Sequence, residues 1–336
     1  MAKVMNELYL EDLDNILSCN LPFHRLEGKN ILITGATGLI GSCLVDFFMR
    51  LGNVNVFAMG RSEEKGRLRF SDYFSKSNFS FVCHDVTNKF DADINFDYII
   101  HAASGTDPIY YCTKPVETMT SNFLGTYNLL EYARQHPVER FMFVSSSEVY
   151  GKVGKDFISE TDSGYVDTTS VRSSYPSAKR ASENLLISYV AEYGIDGVIV
   201  RPSHVYGPTM SKEDNKCVAQ FLRSGVNGKD IVLNSSGSQV RVYTYVTDVV
   251  SAILYVLLLG KINEAYNISG DDIVSIKQLA EIIAEVSGCN VVFSGKDDGK
   301  KERIVLDNTK ISEFGWKCNV SLRDGLEKTI EILKLL

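Results

Sequence analysis

Asn30-Ile31-Leu32-Ile33-Thr34-Gly35-Ala36-Thr37-Gly38-Leu39-Ile40-Gly41-Ser42 is the stretch that decides the fold. A short apolar run predicts a buried strand, and the pattern through Cys43-Leu44-Val45-Asp46-Phe47-Phe48 predicts a helix that Gly52 ends. Between them, Gly35 permits a tight turn, Gly38 lets the backbone approach a pyrophosphate, and Gly41 lets helix lie close on strand. The helix N-terminus offers its free N–H groups to an anion, with Thr37, Leu39 and Ile40 at the same turn. Strand, glycine turn and helix together predict a dinucleotide site in an α/β fold with a doubly wound parallel sheet.

Working outward, strands are expected at 53–59, 79–83, 96–100, 141–144 and 197–201, each apolar enough to be covered on both faces. The second ends at Gly60-Arg61-Ser62, where an NAD site often carries an acidic residue. Arg61 either neutralises a 2′-phosphate, which selects NADP, or is a solvated loop arginine lying on the adenine. Asp85 follows the third strand, placed to accept a hydrogen bond from the adenine amino group. After the fourth come His101-Ala102-Ala103-Ser104, whose small alanines allow close approach of a cofactor, while His101 reads as a core histidine. A loop with Pro108, Tyr110, Tyr111 and Pro115 precedes a long helix over about 116–135. In that helix Asn122 either orders a proton-relay water at the sheet edge or is simply exposed.

Phe141-Met142-Phe143-Val144 runs into Ser145-Ser146-Ser147-Glu148-Val149-Tyr150-Gly151, at the carboxyl edge where open sheets bind ligands. Tyr175 and Lys179 lie four apart on a helix-forming segment and share a face. A phenol acts as a base near neutrality only when positive charge lowers its pKa, which Lys179 and a nicotinamide ring can do. With Ser146 fixing the same oxygen, these groups suit proton removal from a hydroxyl while a hydride leaves the adjoining carbon.

Composition sets the bounds. Of 336 residues, 44% are hydrophobic and 23% charged, as in an ordinary globular chain, and the net charge of −7 gives no field for nucleic acid or an anionic membrane. Seven scattered cysteines without a Cys-x-x-Cys pair fit reduced thiols in a cytoplasmic protein, with no metal site written among them. No apolar run reaches the length of a membrane span, and the N-terminus lacks a signal-peptide core. The division expected is an N-terminal appendage at 1–28, a dinucleotide domain at 29–201 plus about 237–262, and a ligand-closing smaller domain at 202–236 and 263–336. Glu63 to Asn78 is left open as helix or loop.

Thr34-Gly35 through Gly41, the Ser146 region, Tyr175 with Lys179, Arg201-Pro202 through Gly207-Pro208, Arg241 through Asp248, and Gly315-Trp316 occur in one order along the chain. In this the chain resembles the extended short-chain dehydrogenase/reductase superfamily of nucleotide-sugar epimerases, dehydratases and decarboxylases, from Lys29 to about Leu333. The resemblance implies a Rossmann domain binding NAD or NADP tightly, a C-terminal domain binding a nucleoside diphosphate sugar, and a homodimer formed by two helices of each subunit. It places Asp85, Val86, Ala102, Ala103, Ser104 and Asn122 at the cofactor. Tyr111, Ser147, His204, Lys216, Val218, Arg241 and Arg303 fall at the substrate.

Within that superfamily, Ser147-Glu148 resembles the UDP-glucuronate decarboxylases, also called UDP-xylose synthases, whereas 4,6-dehydratases carry Asp-Glu there. The implied reaction oxidises the sugar C4 hydroxyl with Tyr175 as base and loses the C6 carboxylate. Glu148 and Arg303 manage the developing charge, and the ketone is then reduced by the retained cofactor. A 4-epimerase needs the same Ser146, Tyr175 and Lys179 and is the nearest alternative, followed by a 4,6-dehydratase. A non-catalytic dinucleotide sensor is the alternative of another class. The chain departs from the decarboxylases in having His204 where they have Asn, Gly60-Arg61 where they have an acidic residue, and Ile304-Val305 where they have Lys-Pro.

Overall fold

A computed structural model describes residues 5–105, 107–295 and 304–335. The first part of the chain runs α1 (Glu7–Leu17), β1 (Asn30–Thr34), α2 (Leu39–Leu51), β2 (Asn55–Gly60), α3 (Glu63–Arg69), β3 (Phe79–Cys83) and β4 (Tyr98–His101). It continues with α4 (Pro108–Thr113), α5 (Pro115–Gln135), β5 (Arg140–Val144), α6 (Ser174–Tyr193) and β6 (Gly197–Pro202). Then come β7 (His204–Tyr206), α7 (Cys217–Val226), β8 (Ile231–Leu233), β9 (Val240–Tyr245), α8 (Val246–Leu259) and β10 (Glu264–Ile268). The last are β11 (Ile273–Ser275), α9 (Ile276–Ser287), β12 (Val291–Phe293), α10 (Thr309–Ser312) and α11 (Leu322–Lys334).

The large sheet has seven strands in the order β10-β6-β5-β4-β1-β2-β3, every neighbouring pair parallel. Strand order reverses between β1 and β4, so the two βα turns diverge there and leave a crevice at the carboxyl edge. Side chains alternate along the strands into two cores. Ile31, Ile33, Ile100, Met142 and Val200 face one, covered by α1, α2 and α8, and Leu32, Ile99, Phe141, Phe143 and Ile199 face the other, beneath α5 and α6. The doubly wound class expected from the glycine turn is the fold found.

Two expectations change. The strand at 264–268, read as part of the smaller domain, pairs with β6 and forms the edge of the large sheet. The segment around Tyr110 and Tyr111, read as loop, is α4, because Asp107 caps its Ile109 N–H and Pro108 and Pro115 each occupy a first helical turn, where proline costs no hydrogen bond. The open stretch after Ser62 begins as α3, capped by the Ser62 hydroxyl.

The N-terminal appendage is tied in by buried polar contacts. Tyr9 donates to Asp46 of α2 at 2.9 Å, and Asp12 accepts from Tyr245 at 2.9 Å and from Lys328 of α11. A smaller assembly of β7, β9 and β11, with α7, α9 and α11, packs its own core beyond the carboxyl edge of the large sheet. Trp316, on the segment before α11, is buried against α8 and donates its indole N–H to Ser251 at 3.0 Å. Among the described residues, no helix is long and apolar enough to cross a membrane.

Candidate active site

One cleft of about 590 Å³ opens at the carboxyl edge of the large sheet, and the smaller assembly forms its second wall. Its floor is the glycine turn. Helix α2 starts at Leu39 with Gly38 as its N-cap, and the Ser42 N–H makes the first intrahelical bond to the Gly38 carbonyl. Leu39, Ile40 and Gly41 therefore present N–H groups without intrahelical acceptors. A Cβ on Gly41 would stand 2.2 Å from the Gly35 carbonyl oxygen, and one on Gly35 would stand 2.8 Å from the Ala102 carbonyl and the Ala103 backbone. Gly35 also has φ +66°, so both glycines hold turn, helix and β4 in contact. This cradle of open donors beside a wall of backbone fits the pyrophosphate of a dinucleotide.

Most of the cofactor-side residues proposed from the sequence lie along this floor, whereas Asn122 does not line the cleft. Thr37, Arg61, Asp85, Val86, Ala102, Ala103 and Ser104 line the cleft. One Asp85 oxygen is taken by the Thr87 N–H and hydroxyl, at 2.9 and 2.8 Å. Burial opposes the Asp85 charge, yet these bonds and nearby Arg61 hold its carboxyl below the ordinary range. Asn122 is not exposed: it is fully buried, accepts from the Ser104 hydroxyl at 2.9 Å and donates to the Thr118 carbonyl at 2.8 Å. His101 is a core histidine as read, bonded to Thr34 through Nδ1 at 2.7 Å, and burial pushes its pKa down to about 3.

At the far end of the floor, β5 delivers Ser146 and a short 3-10 turn over Ser147–Tyr150. The Ser146 oxygen accepts the Glu148 N–H at 3.2 Å, which leaves its own proton free to donate. Tyr175 and Lys179 come up from α6, both buried. Burial pushes the Tyr175 phenol up to about 12, Glu148 adds to that rise, and Ser146 and Ser104 oppose it. Lys179 donates to the Val144 carbonyl at 2.8 Å and sits 6.0 Å from the Tyr175 ring centre. Its amine, brought down to about 7 by burial, titrates near neutrality.

Three side chains form a stack that the sequence reading did not anticipate. Tyr111 from α4 lies flat on Tyr175, with ring centres 4.5 Å apart and planes 7° off parallel, and the Arg172 guanidinium covers Tyr111 at 5.0 Å. Arg172 also donates to Glu148 at 2.8 Å. Its position three residues before Tyr175, in the short 3-10 turn that leads into α6, was the available signal. Arg180 holds this region from below, donating to the carbonyls of Val149 at 2.5 Å, Tyr150 at 3.2 Å and Gly164 at 2.8 Å.

The opposite wall carries the proposed substrate residues. His204 faces Tyr243 across the β7–β9 pair, with ring centres 5.6 Å apart, and burial with Arg241 and Lys216 nearby pushes its pKa down to about 3. Lys216 stands at the N-cap position of α7 and pairs with Asp214 at 3.1 Å, while Val218, two residues on, is buried. Arg241 donates to the Val240 carbonyl at 2.9 Å and to Gln239 at 3.2 Å. Ser147, Glu148, Tyr111, His204, Lys216, Val218 and Arg241 thus share the cleft with the cofactor floor. Arg303 lies outside the described residues.

Comparison with known proteins agrees with this geometry. UDP-glucuronic acid decarboxylase 1 of Xenopus tropicalis is 30% identical over 314 residues, covering 91% of this chain and 72% of its own. Among solved structures, a UDP-glucose 4-epimerase of Thermotoga maritima with UDP-glucose superposes with a TM-score of 0.79 at 27% identity, covering 90% of this chain and 98% of that one. A UDP-glucuronic acid 4-epimerase of Bacillus cereus, in complex with UDP-glucuronic acid and NAD, superposes at 0.76 with 25% identity, covering 91% of this chain and 99% of that one. The profile of the NAD dependent epimerase/dehydratase family matches residues 31–269, and the chain belongs to that family.

Proposed function

We propose that the chain oxidises the C4 hydroxyl of a nucleoside diphosphate sugar and, with a UDP-glucuronate-type substrate, releases the C6 carboxylate as carbon dioxide. The observation that carries this reading is the convergence of Ser146, Tyr175, Lys179 and Glu148 on one cleft that also holds the glycine cradle. A bound NAD(P)⁺ supplies a hydride acceptor at C4 and, once reduced, returns that hydride to the sugar. Tyr175 takes the C4 hydroxyl proton, Ser146 donates to the same oxygen, and Lys179 in its protonated form, together with an oxidised nicotinamide ring, would supply the positive charge that a phenol raised to about 12 requires. A C4 ketone lies β to the C6 carboxylate. The C5–C6 bond breaks, carbon dioxide leaves, and the bonding pair becomes a C4–C5 enolate. C5 takes its proton from a water, which the Glu148 carboxylate, held by Arg172, orients.

Epimerisation at C4 is the second reading, favoured by the likeness to the Bacillus cereus enzyme with UDP-glucuronic acid bound. The test is incubation with UDP-glucuronate carrying label at C6. Volatile label and a UDP-pentose support decarboxylation, label retained in a UDP-hexuronate of unchanged mass supports epimerisation, and no turnover by either route refutes both. In the decarboxylation reading, Tyr175→Phe abolishes product.

The same reading includes a homodimer. Along α5, Val116, Met119, Phe123, Leu124 and Tyr127 are apolar yet exposed, in a stripe at helical spacing suited to a second copy. The seven free thiols suit a reducing compartment such as the cytoplasm.

A further inference from the structure

The segment between β7 and α7, residues 207–216, runs beside the cleft, reaches it at Lys216, and touches three elements of the opposite side. Thr209, buried, donates its hydroxyl to the Leu39 carbonyl in the first turn of α2 at 2.9 Å. Glu213 lies 3.5 Å from Lys65 of α3, an exposed pair of small worth. Asn215 donates its amide to Asp107 Oδ2 at 2.9 Å, while the other Asp107 oxygen caps α4 through the Ile109 N–H at 2.8 Å. The segment has a firm base, since Asp214 accepts the Lys216 N–H at 2.9 Å and its carbonyl accepts from Arg223. Its contacts therefore span the floor from the glycine cradle to α4, the helix that lays Tyr111 on Tyr175.

We infer that Asp107 and Asn215 form a latch between the lips of the cleft, which retains the dinucleotide and seats α4 beside the reacting centre. The Asp107–Asn215 bond is a partly buried hydrogen bond to a carboxylate, the stronger class of such bonds. Its two partners are 108 residues apart in sequence, so the bond joins distant parts of the chain. Pro108 and Lys216, the chain neighbours of Asp107 and Asn215, line the cleft from its two sides, so the bridge ties those sides together beside the floor. Both residues are positioning residues and neither needs to touch the substrate.

The inference rests on the cofactor reading above, and the test separates the two. Protein loaded with NADH is mixed with excess NAD, and loss of bound-NADH fluorescence is followed. Asn215→Ala is expected to release NADH about tenfold faster than the unaltered chain, from the loss of one hydrogen bond to a charged group. The exchange Asp107→Asn with Asn215→Asp reverses donor and acceptor while keeping a side-chain cap on α4, and is expected to restore slow release to within about twofold. If the unaltered chain retains NADH but Asn215→Ala releases it at the same rate, or the exchanged pair releases as fast as Asn215→Ala, the latch is refuted and the cofactor reading stands. Failure of the unaltered chain to bind NADH or NADPH refutes both.

Discussion

Adding one methyl group to either of two glycines in the same turn is expected to produce opposite effects. In Gly41→Ala the new Cβ would lie 2.2 Å from the Gly35 carbonyl oxygen, 2.8 Å from its carbon and 2.9 Å from the Ala36 Cα. Carbon and oxygen normally approach no closer than about 3.3 Å, so α2 must move about 1 Å off the turn. The obstacle is backbone, and no side chain can swing aside. Overpacking of this kind costs about 1–3 kcal/mol, and we expect the upper end. In Gly38→Ala the nearest atom is the Gly35 carbonyl oxygen at 3.1 Å, and the backbone, at φ −82° and ψ 177°, suits alanine. Stability should then change by no more than about 0.5 kcal/mol. The methyl group instead projects where the pyrophosphate approaches, and NADH binding should weaken about tenfold or more. Urea unfolding, read at constant slope, with fluorescence titration of NADH on each variant, measures both. A Gly41→Ala chain as stable as the original, or a Gly38→Ala chain with unchanged NADH affinity, refutes the argument.

Glu148 raises the Tyr175 phenol and Arg172 opposes it, so Arg172→Met should move the acid limb of the kcat/KM profile up by roughly half to one pH unit; an unmoved limb contradicts the stack. Burial holds the folded His101 near 3, below its unfolded value, so its neutral form costs nothing above about pH 6.5 and stability is lost as pH falls from there toward 3. Relative to His101→Asn, the original chain should lose up to about 1.4 kcal/mol per pH unit in that window, measured by denaturant unfolding at several pH values; parallel curves would contradict this. Arg69 and Asp46 form a buried pair joined by Tyr9 and Tyr73, so Arg69→Met should cost about 3 kcal/mol, the two phenols limiting the loss. An unfolding free energy within 0.5 kcal/mol of the original, on the order of an ordinary surface substitution, would refute that.

How far the residues alone disclose this molecule depends on the range of the interaction. The cradle was legible because Gly35, Gly38 and Gly41 act on their immediate neighbours, and the strands were legible because burial on both faces writes a continuous apolar run. Tyr175 and Lys179 were legible because helical spacing is local. The pairing of β10 with β6 was not, because a parallel strand carries no mark of which edge it joins across a crossover. Helix α4 was hidden by Pro108 and Pro115, which punctuate loops and open helices alike. Asn122 was ambiguous for a different reason: its two partners, Ser104 and Thr118, satisfy an amide that polarity alone cannot place inside or outside. Arg172 could have been found from its spacing to Tyr175, but its tie to Glu148 spans 24 residues and depends on the turn after β5.

Oxidation at C4 in this cleft is expected to lead to loss of C6. Label at C6 of UDP-glucuronate, followed into trapped carbon dioxide by the purified holoprotein without added NAD(P), measures that step directly. Decarboxylation releases label in equal amount with a UDP-pentose, and none from Tyr175→Phe. Label retained in a UDP-hexuronate, or released equally by Tyr175→Phe, would contradict it.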